Sequence, residues 1–122
     1  MEGQKFDDGK LPMFTVLFKQ FPLAMKEVVR CSQSGHNKYP NDTDWMNFKR
    51  VDLTKNTNRY LDAAIRHLIE SKGLLSNDET MTKHGGALHL AQAAWNILAH
   101  LEIKLEKLQD DIDHLKNVRQ DN

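Results

Sequence analysis

Apolar residues recur along this chain at helical spacing and never alternate over a useful length, so the pattern predicts helices and no sheet. The clearest run is the last. Ala87, Ala91, Ala94, Leu98, Leu101, Leu105, Leu108, Ile112 and Leu115 follow an unbroken 4-3 spacing, which is the seam of a coiled coil. About 32 residues at ~1.5 Å each predict a rod of roughly 48 Å. Ala87 to Leu101 can pack on the chain's own bundle. Leu105 to Leu115 cannot, because too little chain remains to cover them, and a second copy is expected there. Glu102, Lys104, Glu106, Lys107, Asp110, Asp111 and Lys116 keep the other faces wet.

Two shorter helices are predicted upstream. Pro22 fits the first position of a helix that carries Leu23, Met25, Val28, Val29 and Cys31 and ends at Ser34-Gly35. The next runs from about Asn58 to Lys72, with Leu61, Ala64, Ile65 and Leu68 on one face and Gly73 at its C-terminal end. Phe14 to Phe21 is apolar but only a turn or two long. Lys5 to Pro12, KFDDGKLP, reads as an ordered arm or loop.

Between these helices lies HNKYPNDTDWMNFKRVDLTKNT, a loop of roughly 20 residues, and loops that long are either functional or disordered. Tyr39, Trp45 and Phe48 within it argue for order. A further linker, LLSNDETMTKHGG, closes on Gly85-Gly86. The expected fold is all-α. One domain, 1–122, forms a small helical bundle, and its long C-terminal helix, with 102–119 as the extension, makes a coiled-coil-like oligomer seam.

The chain has 122 residues, the size of one domain. Lys+Arg and Asp+Glu number 17 each, so no net field draws nucleic acid or an anionic membrane, and neither is expected as a partner. The single cysteine, Cys31, cannot form an internal disulfide, which suits a reducing compartment. No apolar run approaches the ~18–20 residues of a membrane span. The expected location is cytoplasmic. Cys31 sits on an apolar stripe and reads as a core thiol, not a nucleophile.

The polar positions carry the candidate chemistry. His89, Gln92 and Asn96 share a face of the last helix distinct from its alanine and leucine seam. Such a row takes either a ligand or the neighbouring helix as its partner. Arg59, Asp62, Arg66, His67 and Glu70 cluster beside the stripe of the preceding helix. Asp62 and Arg66, at i and i+4, either pair on the surface or serve a ligand. His67 and Glu70, at i and i+3, can face a metal or a sugar, though that spacing alone specifies neither. Asp78 and Glu79 either take a divalent ion or cap the segment that follows. Walker loop, zinc knuckle and nucleophile elbow are all absent from the sequence.

The order of the segments is itself informative. KFDDGKLP, the Lys38-Tyr39 pair, DWMNF, RYLDAAIRHLIE, NDET and HLAQAAWNILAHLE occur in the order that resembles the phage-encoded dATP/dGTP diphosphohydrolases, relatives of the MazG-like all-α nucleotide pyrophosphohydrolases. The resemblance runs from Lys5 to Glu102. It includes Asp8, Gly9, Lys10, Lys38, Tyr39, Asn47, Tyr60, Asp62, Ala63, Arg66, His67, Asp78, Glu79, His89, Leu90, Ala91 and Asn96. Gln92 stands where the family usually has a second histidine, and Gly73-Leu74 where it has Gly-Glu. The E-x-x-E and E-x-x-D pairs that hold Mg²⁺ in MazG-like relatives have no counterpart.

That resemblance implies metal-dependent hydrolysis of purine deoxynucleoside triphosphates, water attacking the α-phosphorus to release a monophosphate and pyrophosphate, with Mg²⁺ or Mn²⁺ as cofactor. The carboxylates expected to hold the metal and carry catalysis are Glu70, Asp78 and Glu79, brought together by a turn at Gly73, with Glu27 as a further candidate. Lys10, Lys38 and Arg66 are expected on phosphates, Arg66 in bidentate fashion, and Tyr39 or Trp45 on the base. Asn47, Asp62, His67, His89 and Asn96 complete the expected ligand set, His67 and His89 as ligands or proton carriers at the metal's edge. The nucleotide is expected between the second and last helices, under the long loop. Two other readings stay open. One is a non-catalytic protein that sequesters a nucleotide or nucleotide-derived signal, a phage counter-defence role. The other is a coiled-coil adaptor with no small-molecule site. A homo-oligomer, either a dimer or a dimer of dimers, is the expected assembly, in the cytoplasm of a bacterial host.

Overall fold

The structure, a computed structural model, describes residues 3, 4, 6 and 8–121. Lys5 and Asp7 of the expected N-terminal arm lie outside the described residues. Among the described residues four α-helices form the fold: α1 (Pro22–Lys38), α2 (Asn47–Arg50), α3 (Arg59–Ser71) and α4 (His89–Asp121). A π-helical turn, Thr15–Lys19, precedes α1, and a 3-10 turn, Glu79–His84, precedes α4. Among the described residues there is no strand, only an isolated antiparallel bridge between Asn77 and Leu88. The protein is all-α, as its periodicity predicts, and no helix among the described residues is long and apolar enough to cross a membrane.

α1 passes through Gly35 and continues to Lys38, beyond the stop expected at Ser34-Gly35. A glycine inside a helix costs about 1 kcal/mol relative to alanine, and tertiary bonds offset that here. Ser34 Oγ donates to the Gly86 carbonyl at 2.5 Å, and Asn37 Nδ2 donates to the His84 carbonyl at 2.6 Å. Those bonds fasten the last turns of α1 to the Gly85-Gly86 linker. Gly85 sits at φ +116, and a Cβ there would meet Ser34 Oγ at 3.3 Å, so the linker needs glycine on both counts. α3 stops as expected, with Lys72 and Gly73 both left-handed and the Gly73 N–H donating to Ser71 Oγ at 3.1 Å.

The core is small and made mostly of alanine. Cys31, Ala64, Met81, Ala87, Ala91, Ala93 and Ala99 are buried, with Leu88 and Trp95 packed against them. Alanines let α1 and α3 approach α4 closely, and both pack on it. The face of α4 turned inward is not the leucine seam. Ala87 and Ala91 are buried, but Ala94 is exposed and Leu98 and Leu101 keep 47% and 49% of their surface. The inward stripe past Ala91 is Gln92, Asn96, Ala99 and Ile103. The expected packing of the seam on its own bundle up to Leu101 therefore stops at Ala91, because the polar row takes the interior. From Lys104 to Gln120 every residue is exposed.

Candidate functional site

A cavity of about 350 Å³ opens between the end of α1, the loop 39–58, the start of α3 and the first two turns of α4. Ion pairs shape the loop that forms one wall. Arg50 holds both Asp42, at 3.3 Å, and Asp44, and Asp44 Oδ1 accepts the Met46 N–H at 3.0 Å. This clamp sets Trp45 at φ +67, a left-handed conformation that is strained for a bulky residue. The result is a flat stack of Trp45 on His36, ring centroids 4.0 Å apart and planes 6° from parallel.

The opposite wall is a second aromatic group. Phe48, Tyr60 and Trp95 meet edge to face, with centroids 5.5–6.4 Å apart. Their polar ends are already satisfied: Trp95 Nε1 donates to Ser32 Oγ at 2.7 Å and Tyr60 Oη to the Phe48 carbonyl at 2.6 Å. Burial pushes the Tyr60 phenol above its ordinary pKa, so it stays a neutral donor. These residues present rings, not hydrogen-bonding groups, to a ligand.

Cations and amides complete the lining. Lys38 and Arg59 line the cavity, and neither belongs to an ion pair among the described residues. Asn47, Gln92 and Asn96 contribute amides, with Asn96 buried and donating to the Gln92 carbonyl at 2.8 Å. Among the described residues Asp42 is the sole carboxylate of the lining. Arg50 engages one of its oxygens, and the other lies 3.9 Å from His36 Nδ1, a buried atom without a hydrogen-bond partner.

A second cluster lies at the contact of α3 and α4. His67, Asp78 and His89 bring one ligand atom each within 4.8 Å of one another. His67 Nδ1 and His89 Nδ1 are 3.0 Å apart. Backbone bonds place the three. His89 N–H donates to the Ser76 carbonyl at 2.9 Å, and Asp78 N–H donates to the Ala87 carbonyl at 2.8 Å. Asp78 Oδ1 accepts from the Thr80 N–H at 3.0 Å and its hydroxyl at 2.7 Å, and Oδ2 accepts from Gln92 Nε2 at 2.8 Å. Burial alone would raise the Asp78 pKa, but these hydrogen bonds bring it below the ordinary carboxylate value. Burial, with help from His89 and Arg66, holds His67 below the ordinary histidine value.

The residues singled out in the sequence thus divide. Lys38, Tyr39, Trp45, Asn47 and Asn96 line the cavity, while His67, Asp78 and His89 form the second cluster. Lys10, Asp62 and Arg66 are exposed and belong to neither, and the Asp62 carboxylate accepts from Asn56, not from Arg66. Glu70 and Glu79 are exposed and do not join Asp78 in a cluster. Asp78 itself caps the 3-10 turn, and Glu27 pairs with Arg30 at 3.3 Å. Among the described residues no all-oxygen set of the kind Mg²⁺ prefers converges. The cavity takes in the end of α1 as well as the starts of α3 and α4 and the long loop, a wider set of walls than the two helices and loop expected. His36 and Trp95 were not flagged by apolar periodicity. Their visible signals are the segments they belong to, His36 opening the long polar loop and Trp95 lying in HLAQAAWNILAHLE beside Asn96.

A family model described as dATP/dGTP diphosphohydrolase, N-terminal, matches residues 1–112. No curated protein and no solved structure matches the chain.

Proposed function

The chain belongs to the dATP/dGTP diphosphohydrolase N-terminal family, and we propose that it binds a purine deoxynucleoside triphosphate in the cavity beside α1 and hydrolyses it to monophosphate and pyrophosphate. The observation that carries this reading is the pairing of aromatic walls with two unpaired cations in one cavity. A purine stacks on Trp45 or against the Phe48–Tyr60–Trp95 group. Lys38 and Arg59 attract the phosphates, and Arg59 can meet two phosphate oxygens at once. Asn47, Gln92 and Asn96 offer amides to the base edge or sugar. At about 350 Å³ the cavity is near the lower end of small-molecule sites, so it suits the nucleoside, with the phosphates towards its open side.

Metal bound to such a reaction neutralises triphosphate charge and orients the attacking water. Because Glu70, Asp78 and Glu79 do not converge, the residues of the cavity account for binding and orientation. This favours one alternative strongly enough to test beside the first: a protein that sequesters the nucleotide without turnover, since the one lining carboxylate among the described residues, Asp42, is engaged by Arg50.

One experiment separates the two. The protein is incubated with dGTP, dATP and other nucleotides in the presence of Mg²⁺ or Mn²⁺, and released pyrophosphate and retained ligand are measured together. Pyrophosphate from a purine deoxynucleotide supports hydrolysis. Tight retention without pyrophosphate replaces it with sequestration, and neither outcome leaves only an adaptor.

A further inference from the structure

We propose that His67, Asp78 and His89 form a binding site for one divalent transition-metal ion of the Mn²⁺ to Zn²⁺ series, held between α3 and α4. The three side chains come from the last turns of α3, the linker before the 3-10 turn and the first residue of α4, and their ligand atoms lie within 4.8 Å of one another. Three separate elements converge on one point.

The spacing of the two imidazoles fits an ion. The two Nδ1 atoms are 3.0 Å apart. Two imidazole nitrogens, each ~2.1 Å from a common ion, sit about 3.0 Å apart at the right angle of an octahedral site and roughly 3.4 Å apart at the tetrahedral angle, so the pair fits the first as it stands and the second after opening slightly. Without an ion, one ring must donate to the other, and two ring nitrogens are spent on a single weak contact.

Asp78 supplies the independent observation. It is a buried carboxylate, 7% exposed, with no cationic partner among the described residues. Buried charges are ordinarily paired with a cation or coordinate a metal. Thr80 and Gln92 occupy three of its roughly four acceptor positions, which leaves about one for an ion and fixes the carboxylate's direction.

The donor set names the class. Two imidazole nitrogens and one carboxylate oxygen, with the remaining positions open, suit Mn²⁺, Fe²⁺, Co²⁺, Ni²⁺ or Zn²⁺ and not Mg²⁺ or Ca²⁺, which want oxygen cages. Gln92 both holds Asp78 and lines the cavity, so the ion lies one side chain away from any cavity ligand. The site stands whether or not the cavity turns over nucleotide.

The test uses the full chain, stripped with a chelator and then titrated with Co²⁺ and Zn²⁺ in the absence of nucleotide. One ion per chain is expected, with a visible Co²⁺ spectrum carrying histidine-ligand features and no displacement by millimolar Mg²⁺. His89→Gln and Asp78→Asn should each weaken binding at least 100-fold, Gln92→Ala roughly 10- to 100-fold as an outer-shell change, and His100→Gln not at all. Failure of the unmutated, folded chain to take up either ion overturns the proposal, as does uptake that folded His89→Gln and Asp78→Asn leave unchanged. The measurement on the unmutated chain decides even where a variant does not fold.

Discussion

The indole of Trp45 lies flat on the imidazole of His36, their centroids 4.0 Å apart, and Trp45 reaches that position only by adopting φ +67. A left-handed backbone at a bulky residue costs on the order of 1–3 kcal/mol, and it persists where the surroundings over-determine it. The surroundings here are the Arg50 clamp on Asp42 and Asp44. An aromatic ring held firmly in the lining of a cavity is suited to base stacking. Replacing Trp45 with alanine should weaken purine nucleotide binding by roughly 5- to 150-fold, the range for loss of one base–aromatic stack at ~1–3 kcal/mol. It should also lower thermal stability slightly or leave it unchanged, since the stack on His36 is lost while the left-handed strain, which any Cβ feels, remains. Calorimetric titration and a melting curve read both, and unchanged binding removes Trp45 from the site.

The two free cations give a charge-dependent prediction. Arg59→Ala and Lys38→Ala should each weaken binding of a triphosphate roughly 10-fold or more, because hydrogen bonds to charged groups contribute about 1.5–3 kcal/mol. Binding of the bare nucleoside should change little. Arg66→Ala is the comparison, since Arg66 is exposed on α3 and lines no cavity. If Arg66→Ala weakens the triphosphate as much as Arg59→Ala does, the phosphates run towards the α3–α4 contact and the orientation given above is wrong.

Helix identity was legible in the sequence because apolar spacing reports which residues can share a buried stripe. Which stripe of α4 turns inward was not. The leucine seam is the stronger apolar signal, yet Gln92, Asn96 and Ala99 face the bundle and Leu98 stays half exposed. Alanine and amide positions win because α1 and α3 approach closely, and that is a property of the assembled helices, not of any one of them. The loop aromatics Tyr39, Trp45 and Phe48 were legible as a group through composition, and Asn47 through the family resemblance. His36, their partner, was not, because the contact depends on how Arg50 folds the loop back on α1. Glu70 and Asp78 were grouped by nearness along the chain, whereas the turn at Lys72 and Gly73 instead brings Asp78 to His67 and His89.

Cys31 supplies a prediction on reactivity and on pH. Burial, with smaller contributions from Glu27 and Asp78, pushes its thiol up to about 12. Thiolate, the reactive form, is therefore scarce in the folded protein at pH 8. A thiol reagent should label Cys31 slowly in the native state and rapidly in denaturant. A folded pKa above the unfolded one favours folding in full below the unfolded value, near 9.0, and that contribution is lost as pH rises from there towards 12. Cys31→Ala should flatten the fall in melting temperature over that alkaline window. Fast stoichiometric labelling of the native chain at pH 8 would contradict the buried assignment.

The final prediction concerns assembly, which the exposed seam calls for. α4 has 33 residues, about 50 Å at ~1.5 Å per residue, and its outer half touches little of its own chain. Leu98, Leu101, Leu105, Leu108, Ile112 and Leu115 keep between 37% and 60% of their surface and continue the 4-3 spacing of a helix seam. Each such side chain, fully buried, contributes about 1.5–3 kcal/mol, so the stripe is worth more exposed to a partner than to water. The occupant that fits is a second copy, because the groove of about 310 Å³ formed by Val28, Leu98, Leu101 and Leu105 continues into the same stripe, and an identical seam can lie against it. Light scattering at micromolar concentration should give at least twice the 14.1 kDa chain mass. Leu108→Glu combined with Ile112→Glu places two charges in the seam and should bring the mass down towards that of one chain. Helix content should fall only at the α4 end, and the cavity, formed by residues no later than Asn96, should keep its ligand affinity. A monomeric mass for the unmutated chain would refute the assembly. An unchanged mass in the double variant would move the contact to the exposed apolar residues of α1 and α3, such as Leu23 and Ile69.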